Sequence, residues 1–335
     1  MGATRIEKNK QLFDKLKNVL SETDEIYQNL EKARWVHGDD NDSLWLENSE
    51  IIDVFELYPT KKTALCKYEN EYYFLTIGID EENQNIPEFM KPFEINPGLF
   101  VAIISNNKIN VKVKNTVRSI DIIQNVISNY KDLDDYIGHY MNDLKDYFEP
   151  VYAYQITNDC PFNKEDIVRI LGCFIGSCDS MIYLPFSNEV KEKYLSVFYE
   201  GHAALPMENV LLSICSVNYK FAFLELYRCI EMLYWIHYIK KLRDEILIPQ
   251  IKITDMSSII EDALSWKPNE SNTIEILFNK VPVNFINILE NERNRHPAFQ
   301  SMKIANWIYK IRCSIVHHKI NQDKAILNDL NWNTL

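Results

Sequence analysis

The chain has 335 residues, of which 46% are hydrophobic, so it is long enough for about two domains and a sizeable core. No apolar run reaches the roughly 18 residues that cross a membrane, and the first residues lack the apolar stretch of a secretory signal, so we expect a cytoplasmic protein. The net charge of -12 opposes indiscriminate binding to nucleic-acid backbones, because that affinity comes mainly from Lys and Arg.

The sequence carries no pattern for a nucleotide cofactor or a metal ion. Only eight glycines occur, and none forms the Gly-rich turn that cradles phosphates in nucleotide-binding folds. The seven cysteines are scattered, and the pair Cys173 and Cys178 has no second tight ligand pair beside it. We therefore expect no metal site and no cofactor.

Residues 1–200 are predicted to form a mixed α/β region with a recognition or regulatory role. The first residues, about 30 of them, have the spacing of an amphipathic helix. The polar residues 39–43 indicate a loop. Between about residues 44 and 117 the pattern changes to short β-branched and aromatic runs, which predict a small sheet. The predicted strands are residues 72–77, 100–104 and 109–113, with Asn106 and Asn107 as a hairpin turn between the last two.

Residues 201–335 are predicted to be entirely helical. Residues 210–247 are apolar almost all round, as in a helix buried on several sides, and Pro206 stands where such a helix begins. Shorter helices follow, and residues 298–318 show the apolar stripe of a last long helix. The fold class is therefore α+β, with an N-terminal sheet region followed by an antiparallel helical bundle.

The last predicted helix contains an arginine followed five residues later by a histidine. Arg312 offers a planar fork of donors that suits a phosphate, and His317 can move a proton near neutral pH. The run Arg-Cys-Ser-Ile-Val-His resembles the R-x4-6-H motif of HEPN-domain ribonucleases. Two long helices with shorter ones between them also resemble the Apea-like branch of the HEPN superfamily, over about residues 205–335.

The resemblance implies a homodimer that brings Arg312 and His317 of both subunits into one cleft and cleaves RNA without a metal ion. His317 would act as base or acid, and Arg312 would stabilise the phosphate. The products would carry a 2′,3′-cyclic phosphate, because the nucleophile is the RNA's own 2′-hydroxyl. By analogy, the setting would be bacterial antiviral defence such as abortive infection, or a growth-arresting toxin that degrades tRNA or mRNA. Residues 1–200 would then bind a trigger or regulator.

Helix geometry leaves the choice of histidine open. On a straight helix, at about 100° per residue, Arg312 and His317 point about 140° apart, and His318 falls nearer the apolar stripe. A bend, an early helix end or the partner subunit is needed to bring the pair together. We favour His317 because its spacing matches the family motif, and His318 is the second candidate.

Three further residues are candidates for the same site. Glu231, on the first long helix, is expected to face Arg312 and hold its guanidinium in place. Tyr309 can stack on a base or contact a phosphate. Cys313 stands where family members usually have Asn, Asp or His, and a thiol is a weak hydrogen-bond partner. Cys313 favours an alternative function, a non-catalytic HEPN module that dimerises or binds RNA; a helical scaffold without an RNA role is a further alternative.

A local basic surface is predicted near the C-terminus despite the acidic net charge. Residues 291–335 contain seven Lys and Arg against three Asp and Glu. Arg293 and Arg295 are expected in a loop, and Lys310 and Lys319 on the last helix, where they could guide RNA. Each of these charges also fits an ordinary solvated position.

Overall fold

A computed structural model of the chain describes residues 4–20, 34–79, 85–127, 136–179, 181–202, 205–246, 256, 260, 269–316, 327 and 330–335, without the side chains of residues 237 and 243–246. The chain divides into two compact units, Met1–Ser180 and Met181–Leu335. The first contains a sheet and helices, and the described elements of the second are all helical, so the α+β class is confirmed. The division falls after Ser180 rather than after residue 200, because the helix Asn188–Glu200 packs on the helix that follows it.

The N-terminal unit surrounds one antiparallel sheet with short helices. The strands run in the order β1-β2-β3-β5-β4. Pro92 lies in the edge strand β4, where a residue without an N–H is tolerated. The strands are β1 Glu50–Tyr58, β2 Lys61–Tyr68, β3 Glu71–Ile77, β4 Met90–Phe93 and β5 Val151–Ile156. The helices are α1 Arg5–Lys17, α2 Asp40–Asn48, α3 Pro97–Ser105, α4 Ser119–Ile122 with a π-helical turn Ile123–Ile127, α5 Met141–Lys145 and α6 Ile167–Cys178.

The sheet differs from the one predicted. Residues 72–77 form β3 as expected, but residues 100–104 lie inside the helix α3. Asn96 accepts a hydrogen bond from the Leu99 N–H and Pro97 occupies the first turn, so the sequence holds a helix start that outweighs the β-branched run. Every residue from 98 to 105 is buried, and a helix that is apolar on all sides shows no periodicity to distinguish it from a strand.

Other predicted boundaries of the sheet are wrong as well. Residues 109–113 form no strand, and Val113 makes a single bridge with Phe148. The sheet is not confined to residues 44–117, because β5 inserts between β3 and β4. The predicted loop at residues 39–43 is the start of α2, where Asp39 and Asp42 form a reciprocal capping box.

The C-terminal unit consists of helices packed on a shared apolar core. The described helices are α7 Asn188–Glu200, α8 Met207–Ile214, α9 Tyr219–Ile246, α10 Glu270–Phe278, α11 Val283–Asn294 and α12 Ile304–Val316, with a 3-10 turn Pro297–Phe299. The predicted helix 210–247 is therefore two helices. Asn218 begins the second helix: its side-chain oxygen accepts a hydrogen bond from the Lys220 backbone N–H, and its carbonyl accepts from the backbone N–H groups of residues 221 and 222. Within the described residues, no helix has both the length and the apolar content needed to cross a membrane.

The core of the C-terminal unit positions α12 between two other helices. Trp307 and Ile311 are fully buried, and both belong to a cluster that includes Tyr227 of α9 and Ile274 of α10. The last predicted helix began near residue 298, but a 3-10 turn and the irregular residues 300–303 precede Ile304. Because α12 packs against both α9 and α10, polar side chains of all three helices meet at its rim.

The close approach of α2 and α3 generates a prediction about stability. A Cβ atom on Gly98 would lie 1.8 Å from the backbone oxygen of Asp42, whereas a Cβ on Gly38 would meet only the Asp42 side chain, at 2.8 Å. We expect Gly98→Ala to lower the free energy of unfolding by about 1–3 kcal/mol or more, because backbone cannot move aside as a side chain can. Urea unfolding followed by circular dichroism measures the change. Gly38→Ala is the matched control, and equal effects of the two substitutions would refute the argument.

Candidate functional site

The candidate site is built around Arg312 on α12. Its neighbour Ile311 is fully buried, and the Arg312 side chain is only 18% exposed. A cation this deeply placed must be compensated, since burying an unpaired charge costs several kcal/mol. The compensation comes from carboxylates on α9 and α10.

Glu231 on α9 makes the closest contact with Arg312. The Arg312 Nη2 atom donates to Glu231 Oε1 at 2.8 Å, and the Glu231 side chain is 31% exposed. Burial would lower the pKa of Arg312, but the attraction and hydrogen bond of Glu231, with a smaller contribution from Glu270, raise it above its ordinary value. The contact that we expected between these two residues is present, and it fixes the orientation of the guanidinium.

Two tyrosines of α9 lie beneath the ion pair. The Arg312 Cζ atom is 5.8 Å from the centroid of the Tyr227 ring, within range of a cation–π interaction. The Tyr227 and Tyr234 hydroxyls share a hydrogen bond of 2.7 Å, and both side chains are buried. Residues 227, 231 and 234 are spaced by four and three positions, so they share one face of α9. The Arg312 guanidinium therefore lies over a face of α9 that carries aromatic and polar side chains.

A second carboxylate, a phenol and a thiol complete the described surroundings. Glu270, the first residue of α10, places Oε2 3.9 Å from Arg312 Nη1 and is 43% exposed. Tyr309 is half-buried, and burial, then Cys313 and Glu270, raise the pKa of its phenol to about 12. Cys313 is partly exposed and lies one turn beyond Tyr309. Tyr309 therefore keeps its proton at neutral pH and can donate a hydrogen bond.

The histidine half of the motif cannot be placed. His317, His318 and Lys319 lie outside the described residues, and the described part of the last helix ends at Val316. The choice between the two histidines, and the angle between either one and Arg312, stay predictions.

The described contacts of Arg293, Arg295 and Lys310 are with groups other than Arg312, and Lys319 lies outside the described residues. Arg293 is 11% exposed and donates from Nη1 to the Met302 carbonyl at 2.5 Å, so it ties α11 to the start of α12. The start of α12 and Arg312 are separated by about 12 Å along the helix axis. Arg293 lies inside α11 rather than in a loop, whereas Arg295 lies in the turn directly after α11, as predicted, and is exposed. Lys310 is exposed over the Phe299 ring, at 5.2 Å from its centroid.

A buried carboxylate organises the turn after α11. Glu292 is 4% exposed and accepts hydrogen bonds from Arg295 Nη1 at 2.8 Å, from the Asn331 backbone N–H at 2.8 Å and from His296 Nε2 at 3.4 Å. Burial would raise the pKa of Glu292, but these bonds lower it overall. Arg295 and His296 are thus part of a structural network as well as of the surface.

Sequence reasoning missed part of the site. Tyr227 and Tyr234 carried a usable signal, because their helical spacing from Glu231 puts them on its face of α9. Glu270 carried none, since its place beside Arg312 depends on how α10 packs against α12. Across the described ranges, no group of three or more His, Cys, Asp and Glu side chains is arranged to hold a metal ion.

The arrangement around Arg312 suits chemistry on a phosphate group. An arginine whose charge and direction are fixed by a carboxylate can recognise a phosphate or stabilise one during reaction, and an adjacent carboxylate and phenol can accept and donate protons. No protein-family model, curated protein or solved structure matches the chain.

The strength of the two ion pairs can be measured by double-mutant cycles. For Glu231→Gln with Arg312→Met we expect a coupling of about 1–3 kcal/mol, because the pair is partly buried and directly hydrogen-bonded. The matched cycle of Glu270→Gln with Arg312→Met should give less than about 0.5–1 kcal/mol, as for exposed pairs. Urea unfolding of the single and double variants gives both values. A larger coupling for Glu270 would contradict the geometry.

The tyrosine pair predicts a loss of stability at alkaline pH. Burial raises the pKa of Tyr234 to about 12 and raises that of Tyr227 as well. Above the ordinary value of 10, the unfolded chain loses these protons while the folded chain keeps them, so the free energy of unfolding falls as the pH rises from 10 towards 12. Tyr234→Phe should make this decline shallower, as measured by urea unfolding across that range. The exposed Tyr183 provides the control Tyr183→Phe, and an identical slope in all three proteins would contradict the assignment.

Proposed function

We propose that the chain is a metal-independent endoribonuclease of the HEPN type. Arg312 contacts the scissile phosphate, and His317 moves a proton. The observation that carries the proposal is the position of the Arg312 guanidinium. Arg312 lies on α12, five residues before His317 in the sequence, and its mostly buried guanidinium is held by Glu231 of α9. An arginine kept charged and pointed in one direction is what electrostatic stabilisation of a phosphorane requires.

The reaction follows from the chemistry of RNA. The 2′-hydroxyl loses a proton and attacks phosphorus, charge accumulates on the phosphoryl oxygens, and the 5′-oxygen leaves with a proton. Of the five guanidinium N–H donors, the described contacts of Arg312 place one in a hydrogen bond, to Glu231. The others suit the equatorial oxygens. DNA lacks the nucleophile and should survive.

The wider proposal concerns partners and setting. RNA, in the form of tRNA or mRNA, is the substrate, with Lys310 of α12, Lys319 and Arg295 as the proposed phosphate contacts. A homodimer through the C-terminal unit would place two copies of the motif in one cleft. Met1–Ser180 would bind the trigger or regulator. The setting would be bacterial antiviral defence, including abortive infection, or growth arrest by a toxin.

A second candidate function is a non-catalytic HEPN module that dimerises or binds RNA. Two observations favour it. Cys313 follows the arginine in place of a stronger hydrogen-bonding side chain, and two carboxylates already compensate the charge of Arg312. Such a module would bind RNA in a salt-sensitive way without cutting it.

Cleavage assays separate the two functions. Wild-type protein incubated with tRNA and an mRNA transcript, in the presence of EDTA, should release fragments that end in 2′,3′-cyclic phosphate, identified by mass spectrometry. Arg312→Ala should lower the rate by about 10²–10³-fold, because the phosphorane loses its cation. His317→Ala should lower it by about 10²–10⁴-fold through loss of proton transfer.

The matched control is Arg228→Ala, which removes an exposed arginine from α9 and leaves the net charge the same as in Arg312→Ala. It should cleave at the wild-type rate. If wild type and both site variants show the same background, the nuclease proposal fails. RNA that stays intact but is retained in a gel shift by wild type, and released with rising salt, would select the non-catalytic function.

A further inference from the structure

The two carboxylates beside Arg312 differ in a way that suggests different tasks. Glu231 is in direct hydrogen-bond contact with the guanidinium and stands between two buried tyrosines. Glu270 lies 3.9 Å from the nearer guanidinium nitrogen, beyond hydrogen-bond distance, and is more exposed, at 43% against 31%. One carboxylate is hydrogen-bonded to the arginine, and the other is held nearby without a hydrogen bond to it and is more exposed.

We propose that Glu270 is the general base that takes the 2′-hydroxyl proton when RNA is bound at Arg312. The inference rests on the proposed ribonuclease function and assigns a catalytic residue that the R-x4-H motif does not contain. It leaves His317 the single task of protonating the leaving group.

The position of Glu270 suits this role in three respects. The 3.9 Å between Glu270 Oε2 and Arg312 Nη1 allows one hydroxyl oxygen to lie beside the pair within hydrogen-bond distance of both atoms, so base and phosphate clamp can serve the same nucleotide. As the first residue of α10, it lies at the positive end of a helix dipole, where a carboxylate is a favourable residue. The neighbouring Tyr309 phenol lies within hydrogen-bonding reach of Glu270, so it can hold the carboxylate in position beside Arg312.

The proton balance of the step is complete. The Glu270 carboxylate accepts the proton of the 2′-hydroxyl, and the 2′-oxygen forms a bond to phosphorus. The bond from phosphorus to the 5′-oxygen breaks, and that oxygen takes a proton from the acid. The products are a 2′,3′-cyclic phosphate and a 5′-hydroxyl. Proton exchange with water resets both side chains, and no redox partner or metal ion is required.

The experiment compares two substrates that differ in the leaving group. The dinucleotide uridylyl-3′,5′-adenosine needs a proton on its departing alkoxide, whereas uridine 3′-(4-nitrophenyl phosphate) releases a stable phenolate without one. Glu270→Gln should lower kcat by about 10²–10⁴-fold on both substrates, because both need the 2′-proton removed. His317→Ala should be impaired on the dinucleotide and recover on the nitrophenyl ester.

Glu275→Gln is the matched control, since Glu275 lies on the same helix and pairs with Lys303 rather than with Arg312. It should have wild-type kcat on both substrates. Glu270→Ala should regain activity when formate is added, because a small carboxylate can occupy the space of the missing base. Circular dichroism of each variant confirms that folding is unchanged.

Three outcomes overturn the inference. Undiminished or increased kcat of Glu270→Gln, with active wild type, shows that Glu270 is not the base and leaves the ribonuclease proposal standing. Recovery of Glu270→Gln on the nitrophenyl ester shows that Glu270 serves the leaving group instead. Absence of cleavage by wild type on both substrates and on tRNA overturns the ribonuclease proposal itself, and Glu270 then has no reaction to serve.

Discussion

Removing the Arg312 guanidinium from water costs free energy, because α12 packs against both α9 and α10. This cost determines which side chains surround the site in the C-terminal unit. Arg312 follows directly on the buried Ile311, so the guanidinium cannot stay fully hydrated when α12 packs on α9 and α10. Glu231 offsets that cost through a hydrogen bond of 2.8 Å, and the Tyr227 ring supplies a favourable surface beneath it. The pair therefore links the orientation of the cation to the register between α9 and α12.

This charge compensation also sets a condition on any phosphate ligand. The formal charges of Arg312, Glu231 and Glu270 sum to -1, in a chain that is acidic overall. An incoming phosphate must gain more from the remaining guanidinium donors than it loses by repulsion from the carboxylates. In the proposed reaction, proton uptake by Glu270 would remove part of that repulsion at the moment when charge develops on the phosphorane.

Sequence patterns predicted this molecule best where a single helix face decides the contacts. Glu231 was expected opposite Arg312, and the two are hydrogen-bonded. The patterns failed at α3, because a helix buried on every side has no periodicity, although the Asn96-Pro97 start was present to be read. Glu270 could not have been found, since its neighbours in space are set by the packing of α10 rather than by spacing along the chain.

Glu292 links the turn after α11 to the last residues of the chain. Its buried carboxylate accepts bonds both from the turn after α11 and from the backbone of Asn331, so residues distant in sequence share one acceptor. Leu330 is buried in the same core as Trp307. Residues 330–335 should consequently open together with α11, and their backbone amides should exchange with solvent at the rate of that helix rather than at the rate of a frayed chain end.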